Sequence, residues 1–244
     1  MRKAFLLSLV AMSLIGAARV RALEPQQLLE KCDAAEYAAK DTTAIVKMLL
    51  IEADGQTSER KLKMLQKGNS KRLISFESPA DVKGVAFLDV DGKMHVYLPA
   101  FKKVRLVAGS MKNDNFAGTD FAHEDLSSER FSNRLRAESV AEEGDYYILQ
   151  AKEKDADSSY SRLEIRIRKK DMLFDRVKYF DTAGKLVKEF SRDDFRPVGS
   201  YTQSFLAQMI DLRKNHTTKM IVEKIEVDRN LADSLFSQRQ LKRQ

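Results

Sequence analysis

A hydrophobic pattern with a period of two runs through most of this chain and limits its fold more than any other feature. Between residues 162 and 168, Leu163, Ile165 and Ile167 alternate with arginine and glutamate. Comparable alternation recurs in segments from residue 42 to residue 228. A strand that buries one face and exposes the other to water has this period, because successive side chains point to opposite faces. The sequence therefore predicts a mainly β protein with antiparallel strands.

Short turn motifs separate the alternating segments. Asp54-Gly55, Asp91-Gly92 and Ala183-Gly184 are typical of hairpin connections. Closely spaced hairpins favour an antiparallel meander over alternating strand–helix units. We expect about eleven strands, over residues 42–53, 56–66, 70–77, 84–90, 93–99, 102–108, 134–142, 145–153, 158–169, 172–181 and 185–192. A final long pair over 200–213 and 217–228 would raise the number to about thirteen.

Two segments depart from the strand pattern. Residues 25–39 begin with a proline and carry apolar residues at helical spacing, which predicts one amphipathic helix. Residues 108–133 are polar and lose the alternation, and a short helix is expected near 123–131. A connection of this length inside a sheet protein is often functional. No linker divides the sequence, so residues 23–244 are expected to form a single domain.

Residues 1–22 have the features of a secretory signal peptide. Arg2 and Lys3 precede an uncharged apolar run over residues 4–18 that is too short to span a bilayer, and Val20 and Ala22 fit a cleavage site. Cleavage is therefore expected after Ala22. The remaining chain has one cysteine, Cys32, which excludes an internal disulfide and is expected to be a buried helix residue. Export without disulfides favours the periplasm.

The charge balance excludes a dedicated nucleic-acid binder. The chain has 43 Lys and Arg against 36 Asp and Glu, but four of the bases lie in residues 1–22. The rest, with 39 bases and 36 acids, is nearly neutral. Nucleic-acid-binding domains carry a clear excess of basic residues.

No combination of residues indicates catalysis or a metal site. The three histidines, His95, His123 and His216, have no ligand spacing between them. Asp120 and the acids that follow His123 could hold a cation, but acids at a helix start are typical of a solvated cap. Residues 89–92 resemble the start of a calcium loop without its closing glutamate, which favours a hairpin turn. We therefore predict a protein that is not an enzyme and needs no cofactor.

Several motifs, taken in order, resemble one known family. They are residues 71–84 (KRLISFESPADVKG) with 85–88 (VAFL), 96–100 (VYLPA), 104–105 (VR), 116–121 (FAGTDF), 124–126 (EDL) and 233–241 (DSLFSQRQL). Together they are similar to the outer-membrane lipoprotein-sorting family of periplasmic proteins, the LolA/LolB-like carriers. The resemblance covers essentially the whole chain after residue 22.

This resemblance implies a half-open antiparallel β-barrel whose concave side is apolar and covered by short helices. It also implies binding of lipoprotein acyl chains or free lipid, by a carrier or receptor that sorts cargo to the outer membrane. Its partners would then include an inner-membrane exporter or an outer-membrane receptor, and we expect a monomer. An alternative function is an accessory subunit that docks on an inner-membrane lipid exporter and carries no cargo.

Alternation suggests which side chains face the concave side and would contact lipid. These candidates are Leu62, Met64, Ile74, Phe76, Val85, Phe87, Met94, Val96, Leu98, Val104 and Leu106. The competing interpretation is that helix 25–39 and segment 108–133 fill this face as an ordinary core. The bases Lys102, Lys103 and Arg105 could face anionic head groups or be solvated strand charges. Arg239, Lys242 and Arg243 are expected in a disordered tail.

Overall fold

One antiparallel sheet of thirteen strands forms most of the protein. The computed structural model describes residues 24–243, and the predicted signal peptide and its cleavage site lie outside them. The strands are β1 (Asp41–Ile51), β2 (Thr57–Lys67), β3 (Lys71–Ser78), β4 (Ala86–Val90), β5 (Lys93–Leu98), β6 (Lys103–Leu106), β7 (Leu135–Glu143), β8 (Tyr146–Glu153), β9 (Tyr160–Arg168), β10 (Phe174–Asp181), β11 (Leu186–Val198), β12 (Tyr201–Asp211) and β13 (His216–Val227).

The order of the strands differs from their order along the chain at one place. The sheet runs β6-β5-β4-β3-β2-β1-β13-β12-β11-β10-β9-β8-β7, so the first and last strands pair in its centre. Thr42 lies opposite Val227, and Met48 lies opposite Met220. Strands β6 and β7 are the two edges. The predicted mainly β, half-open antiparallel barrel is confirmed, and the expected final long pair, β12 and β13, brings the described strands to thirteen.

The predicted turns connect the strands as expected. Asp91 and Gly92 link β4 to β5 with φ angles of 52° and 76°, and Val90 pairs with Lys93 across the turn. Two consecutive positive φ angles define the tight hairpin turn whose twist matches that of the strands. Residues 89–92 are therefore a hairpin, as the incomplete calcium-loop pattern indicated.

Most of the short helices lie on the concave side of the sheet. Helix α1 (Pro25–Glu36) is the predicted N-terminal helix, ending a turn earlier than expected. The segment that joins the two sheet edges, residues 107–134, is here called the crossover segment. Instead of one helix near 123–131, it contains 3-10 turns at Gly109–Asn113, Phe116–Gly118 and Glu124–Leu126, followed by α2 (Phe131–Arg134).

Two apolar clusters occupy the concave side. Leu28, Leu29 and Cys32 of α1 are fully buried against strands β7–β11, which confirms the expected burial of Cys32. On the other side of the sheet's centre, Phe116 of the crossover segment packs on Phe76 and Phe87. Each end of the concave face is therefore covered by a different element.

The C-terminal residues cover part of the convex side. Helix α3 (Gln238–Leu241) follows a 3-10 turn, and Phe236 and Leu241 are buried against Leu73 and Leu88. The prediction of a disordered tail carrying Arg239, Lys242 and Arg243 was wrong for the described residues up to 243. The basic residues suggested a solvated tail, but the apolar residues Phe236 and Leu241 anchor this segment to the sheet.

Candidate functional site

A cavity of about 310 Å³ lies between the concave face of the sheet, α1 and the crossover segment. Its volume is at the lower end of the range of roughly 300–1,000 Å³ that small-molecule sites occupy. The apolar lining consists of Ala44, Val46, Met48, Leu62, Met64, Ile74, Phe116, Phe121, Leu126, Phe131, Phe174, Phe190, Ala207, Met220, Val222 and Ile225. Strand register explains this surface, because directly opposed residues share a face.

Three methionines lie on neighbouring central strands of the lining. Met48 on β1 is opposite Met220 on β13, and Met64 on β2 is opposite Ala44 on β1. Met48 is buried, whereas Met64 and Met220 are half-buried. Methionine side chains are unbranched and polarizable, so they adapt to contents of variable shape.

The predicted lipid-facing residues fall into distinct places. Leu62, Met64 and Ile74 line the cavity. Phe76, Phe87, Met94 and Val96 are buried in the cluster around Phe116, and Val85 and Leu98 pack against that cluster while half-buried. None of these last six is part of the cavity lining. The concave face is therefore part cavity and part filled core.

The prediction that Val104 and Leu106 lie on the concave face was wrong. Arg105 is opposite Val96 and Lys103 is opposite Leu98, so these two bases are on the concave side of β6. Val104 consequently packs with the convex cluster, and Leu106 is 55% exposed. The 3-10 turn Pro99–Phe101 and Lys102, whose φ is 50°, connect β5 to β6 and determine which side chains of β6 face the concave side. The hydrophobic pattern of the sequence does not reveal this.

Part of the cavity lining is polar, and two of its arginines are paired with glutamates. Glu36 of α1 accepts a hydrogen bond from Nη1 of Arg192 at 2.8 Å. Arg134 pairs with Glu153, and although burial alone would lower the pKa of the guanidinium, the Glu153 charge raises that pKa above its ordinary value. The hydrogen bonds of these pairs fix α1 and α2 over the sheet.

Another arginine joins the crossover segment to β3. Arg72 donates hydrogen bonds to the carbonyl oxygens of Leu126 and Ser127, both at 3.0 Å. Its guanidinium also donates to Oε1 of Gln66 at 2.8 Å. Arg72 and Gln66 are paired neighbours on the concave face and both line the cavity. This end of the cavity is therefore polar and tied to the crossover segment.

Buried carboxylates hold the crossover segment in place. Asp89 of β4 accepts from the amide of Ser128 at 2.7 Å, and Asp33 of α1 accepts from the amides of Phe131 and Ser132 at 3.0 and 2.7 Å. A buried carboxylate with such partners is far less costly than an unpaired one. The two carboxylates therefore connect the segment to two different elements, β4 and α1.

The acids around His123 are also structural. Asp120 accepts from Nδ1 of His216 at 2.6 Å and from Thr218 at 2.7 Å. Glu124 accepts from the Ser158 hydroxyl at 2.8 Å, and Asp125 pairs with Lys188 at 3.2 Å. The expectation of a solvated helix cap was wrong, since all three acids are buried.

His123 itself is buried beside two aromatic rings. Its Nδ1 donates to the Asp114 carbonyl at 2.8 Å, and its ring lies 5.8 Å from that of Phe116. Burial lowers the pKa of the imidazole below its ordinary value of 6.5. Among residues 24–243, no three potential ligand side chains converge as a metal site, and no helix is long and apolar enough to cross a bilayer.

The fold and its cavity define the class of protein, a half-open barrel of the LolA type. A domain described as an outer membrane lipoprotein-sorting protein, from Vibrio parahaemolyticus, matches with a TM-score of 0.80 at 23% identity over 90% of this chain and 100% of its own. A LolA superfamily protein from Nitrosomonas europaea has a TM-score of 0.75 at 18% identity over 90% of this chain and 100% of its own. These likenesses confirm, for the fold, the resemblance to lipoprotein-sorting proteins.

The chain belongs to the family whose model, described as "uncharacterized protein", matches residues 68–243. A DUF1329 family protein from Desulfovibrio piger is similar in structure, with a TM-score of 0.81 at 25% identity over 89% of this chain and 97% of its own. The comparison with curated proteins found no match.

Sequence reasoning missed the polar half of the cavity. Glu36 and Arg192 are 156 residues apart in the chain, and neither belongs to a motif. The sequence offered one indication of this polar lining, a charged residue at an inward-facing strand position. Arg192 lies two positions after Phe190, which faces the cavity, so both side chains are on the same face of β11.

Proposed function

We propose that this protein binds acyl chains, of a lipid-modified protein or of free lipid, in the cavity between β1, β2, β13 and the crossover segment. It would act in the periplasm as a monomeric carrier or receptor that moves such cargo towards the outer membrane. The observation that carries this proposal is the methionine-lined apolar wall at Met48, Met64 and Met220.

The energetics of such a wall suit acyl chains. Each buried CH₂ group contributes about 0.8 kcal/mol to binding, so a long chain needs no specific polar contact. The apolar part of the cavity offers such burial, and the half-buried Met64 and Met220 can change rotamer around different chains. Two arginines of the lining, Arg192 and Arg134, are already paired with Glu36 and Glu153, which leaves the apolar surface as the main source of affinity.

The fold neighbours support this proposal in a coarser way. One is described as a lipoprotein-sorting domain and another as a LolA superfamily protein. A binding function without catalysis is consistent with both descriptions and with the absence of a catalytic motif in the sequence.

A charge placed in the cavity tests the proposal. Met64→Glu and Met220→Glu put a carboxylate into the space that an acyl chain would occupy, and we expect at least a tenfold loss of affinity for a fluorescent fatty acid. Met64→Leu, which keeps volume and polarity, should bind like the parent protein. Lys63→Glu is the matched charge control, because it lies on the opposite face of the same strand.

The outcome separates the candidate functions. Lost binding in both glutamate variants, with binding retained in Met64→Leu and Lys63→Glu, supports the carrier. Equal binding in all variants, or no binding by the parent protein, contradicts it. Recovery of an inner-membrane exporter with the parent protein, but of no lipid, would favour the accessory subunit instead.

A further inference from the structure

Strand β6 and the turn before it carry an exposed patch that is both apolar and basic. Phe101 is 63% exposed and Leu106 is 55% exposed, the two largest such values among the large apolar side chains of the described residues. In the sequence, Lys102, Lys103 and Arg105 lie between them and are also exposed. Lys103 and Arg105 are on the concave side of β6 and Leu106 is on its convex side, so what the five residues share is the edge of the sheet. We call these five residues the β6 patch. Two large apolar side chains exposed on one short edge strand and its turn, next to three bases, single out this edge as a candidate interaction surface.

The bases of the β6 patch have no acidic partners. Within residues 24–243, neither Lys102, Lys103 nor Arg105 forms a salt bridge, although many other bases of the sheet do. Arg105 instead lies over the ring of Phe101, with its guanidinium carbon 5.9 Å from the ring centroid. No aspartate or glutamate occurs between Gly92 and Asn113, so no acid close in the sequence offsets this positive charge.

The position of the patch limits what can bind there. Strand β6 is one edge of the sheet and pairs only with β5 among the described strands. It is four residues long, and Lys103 and Arg105 project from it. Short, lysine-bearing edges disfavour pairing with a strand of another protein. Exposed apolar side chains that flank bases, by contrast, match the boundary between lipid head groups and acyl chains.

We propose that the β6 patch docks the protein on an anionic phospholipid surface. Phe101 and Leu106 enter the head-group region, while Lys102, Lys103 and Arg105 contact lipid phosphates. The crossover segment begins directly after Leu106 and continues to Phe116 and Phe121 in the cavity lining. Docking here therefore brings the membrane to the strand that leads into the cavity wall. This inference concerns the protein surface and holds whether or not the cavity binds acyl chains.

Vesicle co-sedimentation tests the proposal. All variants are produced as the full chain and purified from the same cell fraction, so that they share one N-terminus. Vesicles of phosphatidylcholine alone are compared with vesicles of equal parts phosphatidylglycerol and phosphatidylcholine. Each base near an anionic surface adds about fivefold to binding, so Lys102→Gln together with Lys103→Gln should lower binding to the anionic vesicles about 25-fold. Phe101→Ser should lower it by about tenfold.

A second exposed site provides the matched control. Leu212 is 45% exposed in the turn between β12 and β13, and Lys214 is exposed beside it. Leu212→Ser with Lys214→Gln removes the same kinds of group elsewhere and should leave vesicle binding unchanged. All substituted positions are exposed, so melting temperatures should stay within a few degrees of the parent value.

Several results would overturn the proposal. These are equal binding of the parent protein to both kinds of vesicle, an equal loss in the control variant, and binding that is insensitive to salt. Recovery of an envelope protein through Lys102 and Lys103, without vesicle binding, would also overturn it, because the patch would then serve a protein partner. Fatty-acid binding measured without vesicles should be the same in the β6 variants and the parent protein, which keeps this test separate from that of the cavity.

Discussion

The concave face of β1–β5 contains two regions that look alike in the sequence and differ in the structure. Around Phe76 and Phe87 the face is filled, because Phe116 packs on both rings at centroid distances of 5.5 and 5.8 Å. Around Met48 and Met64 the same face borders the cavity. Strand alternation makes a face apolar, but only the covering segment decides whether that face becomes core or binding surface.

The largest effect should come from a charge in the filled region. Phe87 is fully buried, so Phe87→Glu strands a carboxylate in the core and should lower the free energy of unfolding by about 4 kcal/mol or more. Met64→Glu, which faces the cavity, should cost less than about 1 kcal/mol. Urea denaturation of both variants measures the difference. Similar losses in the two proteins would show that the two regions are not distinct.

Removing the covering ring should convert one region into the other. Phe116→Ala deletes the side chain that separates Phe76 and Phe87 from the cavity and should cost about 3 kcal/mol. The enlarged cavity should bind longer acyl chains more tightly than the parent protein does. Titration with fatty acids of increasing length measures this, and an unchanged length preference would contradict it.

Loosening the covering segment should have a smaller effect. Asp89→Ala leaves the Ser128 amide and hydroxyl without their acceptor and should lower the free energy of unfolding by about 2 kcal/mol. Ser127→Ala removes the weaker bond to Asp89 at 3.2 Å and the bond that the Ser127 hydroxyl accepts from the exposed Glu129 amide, leaves both Ser128 bonds in place, and serves as control. Hydrogen exchange should show faster exchange in the crossover segment of Asp89→Ala. Exchange that rises equally in β9 would indicate global destabilisation instead.

The smallest effect is a pH dependence at the edge of the filled region. Burial lowers the pKa of His123 below 6.5, so the unfolded chain binds more protons than the folded one as the pH falls through that value. Stability is therefore lost towards acid pH, by at most about 1.4 kcal/mol per pH unit. His123→Gln should flatten the decrease in unfolding free energy between pH 7 and pH 5. Equal slopes in the two proteins would exclude His123 as the cause.

The sequence predicted the strands well because their signals are local. Leu163, Ile165 and Ile167 alternate as expected and are fully buried, and the turn at Asp91-Gly92 follows from glycine's conformational freedom. Helix α1 was also predicted from its own spacing. Each of these elements is determined by residues close together in the chain.

What the sequence did not show depends on distant contacts. Predicting that Phe116 covers Phe76 and Phe87 requires knowing that the crossover segment folds back over β3 and β4. No local sequence pattern indicates that fold. The same holds for Asp89 and Asp33, which resemble surface acids until their amide partners are known. Alternation assigned Val104 and Leu106 to the wrong face because a short irregular connection precedes them. Alternation in the sequence predicts which face of a strand is apolar, but it does not predict which segment packs on that face.

The central pairing of β1 with β13 has a consequence for the order of assembly. Strands β1–β6 and β7–β13 form two runs of local hairpins, and among the described strands the two runs are hydrogen-bonded into one sheet only where β1 pairs with β13. Met220, Val222 and Ile225, which form one side of the cavity, belong to that last strand. Long-range pairing of this kind is slow relative to hairpin formation. A chain interrupted after β12 can therefore form most of its hairpins and still possess no cavity, so the cavity reports on synthesis of the entire sheet.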